Sequence, residues 1–176
     1  MAPAALHDPS RFPFVARLEA AWQLIQAELL ALERSAFQES PDSLTTVADG
    51  YDETGWQWYA LYGGGPECAA NRERCPTTAA ACEAIPGLRN AGFSRFLPGT
   101  HLYPHCGEMT GVLRCHLALL VPAGRCGLSF GGEVVTWQPG RCLVFDDTFE
   151  HEAWNHTEQE RVVLLATFAA DRLSVG

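Results

Sequence analysis

The sequence predicts a mainly β fold with one long helix packed on it, and three observations carry that prediction. An apolar stripe at helical spacing opens the chain. From residue 92 onward, short apolar stretches follow one another between glycine, proline and acidic turns. Several short strands at such regular intervals imply a sandwich or barrel and argue against a βαβ sheet.

The helix is read from Val15, Leu18, Trp22, Ile25, Leu29 and Leu32, which recur at alternating steps of three and four. Arg17, Glu19, Gln23, Gln26 and Glu33 lie mostly off that stripe, so its expected role is packing alone. Residues 40–55 are polar and turn-rich, and GWQWYALYGGG reads as an aromatic strand ending in a glycine loop. Residues 66–90 read as irregular apart from a short helix around TTAAACEAI. The strands expected after that lie in FSRFLPGTHLY, VLRCHLALLVP, CGLSFGGEVVTW, RCLVFDD, HEAWNH and RVVLLATF. A single domain over 1–176 is expected, helical and irregular over 1–90 and β-rich over 91–170.

At 176 residues, with 47% hydrophobic and 19% charged residues, the chain can bury a core and shows no sign of disorder. A net charge of -9 excludes a nucleic-acid partner, which needs clustered Lys and Arg. No apolar run approaches the ~20 residues of a membrane span. MAPAALHDPSRFPF has neither the charged nor the apolar region of a signal peptide. A cytoplasmic chain is therefore expected. Its seven cysteines include no C-x-x-C pair; most read as small buried hydrophobes of a reducing compartment, and Cys75 with Cys82 leaves a small disulfide ring open.

Chemistry concentrates in the β-rich half, around His101, His105, His116 and His151. Arg161 begins RVVLLATF, where Arg161, Val163, Leu165 and Thr167 share one face and Val162, Leu164, Ala166 and Phe168 the other. Both faces are largely apolar, so Arg161 is expected to be buried, and a buried guanidinium needs an anion. Asp146 or Asp147 can supply it, and so can the carboxylate of a ligand. Arg114 and His116 share one face of VLRCHLALLVP opposite Leu113, Cys115, Leu117 and Leu119, which suggests a polar cavity; a solvent-facing edge is the other reading.

These residues resemble a family. FLPGTHLYPHCGEMTGVLRCHLALLVP, then FDDTFEHEAWN, then an arginine opening an apolar strand, together resemble the aspartyl/asparaginyl β-hydroxylases. The resemblance begins weakly at FVARLEAAWQLI, includes the CPTTAAAC spacing and is specific over residues 92–168. It implies a double-stranded β-helix (jelly-roll) core and an iron(II)- and 2-oxoglutarate-dependent dioxygenase. The metal ligands fall on His105 and His151, and the arginine that binds 2-oxoglutarate falls on Arg161. Ser94 falls where a serine helps hold the same carboxylate, and Arg114 and His116 fall near co-substrate and substrate. The resemblance also implies that 2-oxoglutarate and O2 are consumed to hydroxylate an unactivated carbon.

Most non-haem iron oxygenases add a carboxylate two residues after the first histidine, on the same strand face. That position is Gly107, and Glu108, Glu150 and Glu152 alternate away from the histidines. Two histidines with water in the third place are expected. The implied substrate is the β-carbon of an aspartyl- or asparaginyl-type residue, or a related small acid, in a small molecule or peptide. Arg114 is available for its carboxylate, whereas Val112 stands where family members carry a second basic residue. Free amino acids, short peptides and acyl conjugates remain open. A cupin-like isomerase or hydrolase, or a module that keeps the fold without the metal, are the competing readings.

Overall fold

The computed structural model describes residues 5–40 and 55–170. Most of the polar stretch at 40–55 therefore lies outside the described residues. The expected helix is α1 (Pro13–Ala31). It starts with proline at its first position, where the missing N–H costs nothing, and ends where Leu32 turns extended. Val15, Leu18, Ile25 and Leu29 of the stripe are buried, and Trp22 and Leu32 pack against the same cluster.

The polar side of α1 does more than face solvent. Glu28 accepts from the backbone N–H groups of Thr77 (2.7 Å) and Thr78 (2.8 Å), capping α3 (Pro76–Glu83) from another element. Gln26 donates to the Leu119 carbonyl at 2.7 Å.

Residues 66–90 are more regular than expected. They form α3 and, before it, α2 (Glu67–Arg74), with an acid in its first turn and arginines in its last. An eight-residue helix is marginal alone, and β3 (Trp56–Tyr62) explains why it holds. A register shift between Ala60 and Tyr62 disrupts pairing there. Asn71 donates to the Ala60 carbonyl (2.8 Å) and Arg72 to the Leu61 carbonyl (2.7 Å), so α2 satisfies that stretch of backbone.

The remaining strands are β1 (Leu6–His7), β2 (Gln38–Glu39), β4 (Leu88–Phe96), β5 (His101–His105), β6 (Val112–Leu120), β7 (Cys126–Phe130), β8 (Glu133–Val135), β9 (Cys142–Phe145), β10 (His151–Asn155) and β11 (Arg161–Ala169). A seven-stranded sheet runs β1-β9-β6-β11-β4-β3-β2, and a four-stranded sheet runs β5-β10-β7-β8. All pairings are antiparallel, giving the expected jelly roll. The large sheet also takes β1, β2 and β3 from before residue 91, because their backbones complete edges that β9 and β4 would otherwise leave open.

Strand alternation divides the apolar residues into two cores. Val162, Leu164, Ala166 and Phe168 of β11 and Leu113, Cys115, Leu117 and Leu119 of β6 pack with α1. Val163 and Leu165 face the other way, into a cluster with Leu102, Leu128 and Phe145. All seven cysteines are free thiols, and six are buried. Cys75 and Cys82 stand at the two ends of α3, about 10 Å apart along a helix, beyond the reach of a disulfide.

Candidate active site

All six residues singled out from the sequence line one cavity of about 240 Å3 inside the jelly roll: Ser94, His105, Arg114, His116, His151 and Arg161. The fold brings them together from five strands. The solvent-facing reading of Arg114 and His116 is thereby set aside.

His105 and His151 are direct cross-strand partners on β5 and β10, with ring centroids 4.3 Å apart. His105 is exposed at the mouth and His151 is buried behind it. Each Nδ1 lies against the backbone carbonyl two residues back, Tyr103 at 2.6 Å and Phe149 at 2.8 Å. A carbonyl only accepts, so both Nδ1 atoms carry the proton and both Nε2 atoms keep a lone pair. Burial, and next the neighbouring His105, hold the His151 imidazole below its ordinary value, which favours the neutral, ligating form.

The third position is closed by packing. A Cβ on Gly107 would lie 2.5 Å from the Asp147 carboxyl, and the Gly107 N–H donates to the Asp147 carbonyl at 2.7 Å. Glu108 and Glu150 are exposed, and Glu152 accepts from or donates to nothing in the cavity, bonding instead to His101 at 3.1 Å. No three His, Cys, Asp or Glu side chains converge on one point among the described residues. Gly107→Ala is expected to cost about 1–3 kcal/mol by overpacking, read as a lowered denaturant midpoint, because Asp147 is itself held by Arg114.

Arg161 lies at the inner end, 1% exposed. Its guanidinium sits 3.6 Å from the centroid of Phe96 and 4.7 Å from that of Trp137. NH1 donates to the Ser94 carbonyl at 3.4 Å, and Nε has no hydrogen-bond partner among the described residues. Neither aspartate considered from the sequence serves it. Asp147 accepts from Arg114 Nε at 2.7 Å, and Asp146 accepts from the Thr148 N–H and hydroxyl. Burial pushes the Arg161 guanidinium down to about 9, still cationic at neutral pH. Two aromatic faces and one long hydrogen bond do not neutralise a buried charge, so the arrangement asks for an external anion.

Two more donors surround that place. Trp56 Nε1 donates to Ser94 Oγ at 3.1 Å, which leaves the serine proton free. His116 Nδ1 lies 3.3 Å from Trp137 Nε1, and its buried Nε2 has no partner. Burial, then Arg161 and Arg114, keep this imidazole well below its ordinary value. Arg114 is less free than expected, because Nε is paired with Asp147 and NH1 donates to Thr167 at 2.7 Å. Trp56, Trp137 and Phe96 were not legible as site residues, since each sits in an ordinary apolar or turn context.

A larger cavity of about 440 Å3 adjoins this one and shares Trp56, Asn90, Arg114 and Leu165 with it. It contains none of the histidines. Among the described residues, no helix is long and apolar enough to cross a membrane.

Comparison with known proteins identifies the family. The aspartyl/asparaginyl beta-hydroxylase family model matches residues 19–170. The ornithine lipid ester-linked acyl 2-hydroxylase of Rhizobium tropici is 41% identical over 167 residues, 93% of this chain and 59% of that protein. The human aspartyl/asparaginyl beta-hydroxylase is 32% identical over 159 residues, 86% of this chain and 20% of that protein. The chain thus spans less than two thirds of either relative. Among solved structures, the non-heme alpha ketoglutarate dependent epimerase SnoN from nogalamycin biosynthesis superposes with a TM-score of 0.52 at 19% identity, covering 90% of this chain and 76% of that one, a likeness of fold. With the family model matched along nearly the whole jelly roll, this chain belongs to the aspartyl/asparaginyl β-hydroxylase family.

Proposed function

We propose that the chain is an iron(II)- and 2-oxoglutarate-dependent dioxygenase that hydroxylates an unactivated carbon, with His105 and His151 as metal ligands. The observation that carries this reading is Arg161, a buried cation without a carboxylate partner among the described residues, in the same cavity as two histidines with free Nε2 lone pairs. The two neutral imidazoles would hold iron(II) through their free Nε2 atoms, and the keto acid end of 2-oxoglutarate would add oxygen donors beside them. The bound metal supplies oxygen activation, one oxygen atom going to the substrate and the other to succinate as CO2 leaves.

The chain's own residues position and dry the site. Arg161 grips the far carboxylate of 2-oxoglutarate through its planar fork, with the Ser94 hydroxyl as a second donor. His116 adds a neutral N–H without adding charge. The carbonyls of Tyr103 and Phe149 fix the tautomer and aim of the two ligands, the role outer partners play at metal centres. The apolar wall of Leu102, Leu128, Phe145 and Leu165 lowers the local dielectric at the buried end and strengthens the contacts made there.

For the substrate, an acyl chain is favoured over an aspartyl side chain. Arg114 is neutralised by Asp147, so a substrate carboxylate would compete with a bond already made. Val112 supplies no replacement cation, and the aromatic walls of the adjoining cavity, Trp56, Trp58 and Tyr62, suit an alkyl group. The Rhizobium relative, whose name gives an acyl substrate, supports the same reading. The test is mass gain of one oxygen, dependent on 2-oxoglutarate, over ester- and amide-linked acyl amino acids and over aspartyl and asparaginyl peptides. Gain on the acyl compounds is expected. Gain confined to the peptides would remove the substrate reading and leave the reaction class standing.

A further inference from the structure

We infer that Trp137 is a positioning residue that fixes His116 as a neutral donor through Nε2, aimed at the co-substrate. The inference rests on the cavity being the 2-oxoglutarate site. Indole Nε1 has a hydrogen to give and no lone pair to receive one. Its 3.3 Å contact with His116 Nδ1 therefore requires that Nδ1 be unprotonated, which puts the single proton of the neutral ring on Nε2. A cationic ring would turn an N–H of Nδ1 against the indole N–H. Burial of the ring, with Arg161 and Arg114 nearby, opposes that cation independently.

The consequence is a buried N–H with no acceptor among the described residues. Leaving a buried donor unmatched forfeits its hydration without return, and such groups are rare unless a ligand completes them. His116 Nε2 joins Arg161 Nε and the Ser94 hydroxyl in lining one cavity with donors, and 2-oxoglutarate brings acceptor oxygens only. Trp137 also stacks beside His116, with ring centroids 6.2 Å apart and planes 21° apart, and it faces the Arg161 guanidinium at 4.7 Å. One side chain from the turn after β8 thus sets both the proton position of His116 and one wall of the arginine. Nothing in the metal ligands themselves depends on it.

The test begins with the metal-free protein, where 15N chemical shifts of the His116 imidazole distinguish the tautomers without turnover. Wild type is expected to show the Nε2–H form alone, and Trp137→Phe, which keeps an aromatic wall but has no N–H, a mixture of both. Calorimetric titration with 2-oxoglutarate on manganese-loaded protein is expected to show affinity reduced about five-fold in Trp137→Phe, the scale of one hydrogen bond. The same substitution in a His116→Ala background separates the two roles of the indole. If Trp137 acts through His116, it costs nothing further there; a loss of the same size in both backgrounds would mean that it acts through Arg161 or packing. A wild-type His116 protonated on Nδ1 would overturn the inference outright, whatever happened to affinity. Failure of all variants and of wild type to bind 2-oxoglutarate would instead strike at the identity of the site, leaving the tautomer result readable.

Discussion

Replacing Arg161 with methionine is expected to remove 2-oxoglutarate binding while making the ligand-free protein more stable. Both effects come from one fact, that the guanidinium is buried with no carboxylate beside it among the described residues. Removing one partner of a buried ion pair costs about 3–5 kcal/mol, because the other charge is left uncompensated. At 1.4 kcal/mol per power of ten, the co-substrate affinity falls by more than about a hundred-fold. In the free protein the balance reverses. The desolvated cation is opposed only by the Phe96 and Trp137 faces and one 3.4 Å hydrogen bond. A buried ion exchanged for an apolar side chain of similar volume is neutral or stabilising by about 1–4 kcal/mol.

The pH dependence of that penalty follows from its direction. Arg161 is a base whose folded value burial lowers from the ordinary guanidinium range to about 9. Below about 9 it is charged both folded and unfolded, so the cost is fully present at neutral pH. Above about 9 the unfolded chain binds more protons than the folded one, and stability rises as pH rises from there. Thermal melts therefore read the prediction directly at pH 7. Arg161→Met should melt higher than wild type without 2-oxoglutarate, and should gain nothing when 2-oxoglutarate and metal are added. A variant that melts lower, yet is still stabilised by 2-oxoglutarate, would show that the guanidinium has a partner in the fold.

The second large effect is expected at the histidine pair. His151→Ala should weaken divalent metal binding by at least about a hundred-fold, equivalent to about 2.8 kcal/mol, and His105→Ala by a similar factor. With no third side chain converging on the pair among the described residues, nothing takes over the lost ligand. The two variants should differ in stability. His105 is exposed, so its removal leaves the melting temperature near wild type, whereas His151 is packed against Phe130 and Phe145 and leaves a gap. Metal titration followed by manganese EPR measures the first effect and a thermal melt the second. Equal metal affinity in wild type and both variants would place the metal elsewhere.

How much of this was legible in the sequence depends on how local the signal was. Helix α1 and the strands of the jelly roll announced themselves by periodicity, since period 3.6 and period 2 are fixed by backbone geometry. The two-faced burial of β11 followed from alternation alone, and the structure sorts its residues into two cores accordingly. Helix α2 was not legible, because an eight-residue polar segment gains its stability from Asn71 and Arg72 reaching the backbone of β3, a contact no local window contains. The Arg161 question was open for the same reason. Alternation showed that it is buried, and only the fold shows that Asp147 is already taken by Arg114. Gly107 offers no carboxylate, and the reason for a glycine there lies across the cavity, in an Asp147 side chain that occupies the space a Cβ would need. Trp137 carried no site signal, since a tryptophan closing the apolar stretch CGLSFGGEVVTW bears no mark of the nitrogen it faces.

The most direct measurement of the central claim is conversion of 2-oxoglutarate to succinate by the wild-type chain with iron(II), ascorbate and oxygen. Succinate should form with wild type and fall to background in Arg161→Met, His105→Ala and His151→Ala alike. Turnover by Arg161→Met at the wild-type rate would contradict the account, because the buried guanidinium would then hold no co-substrate.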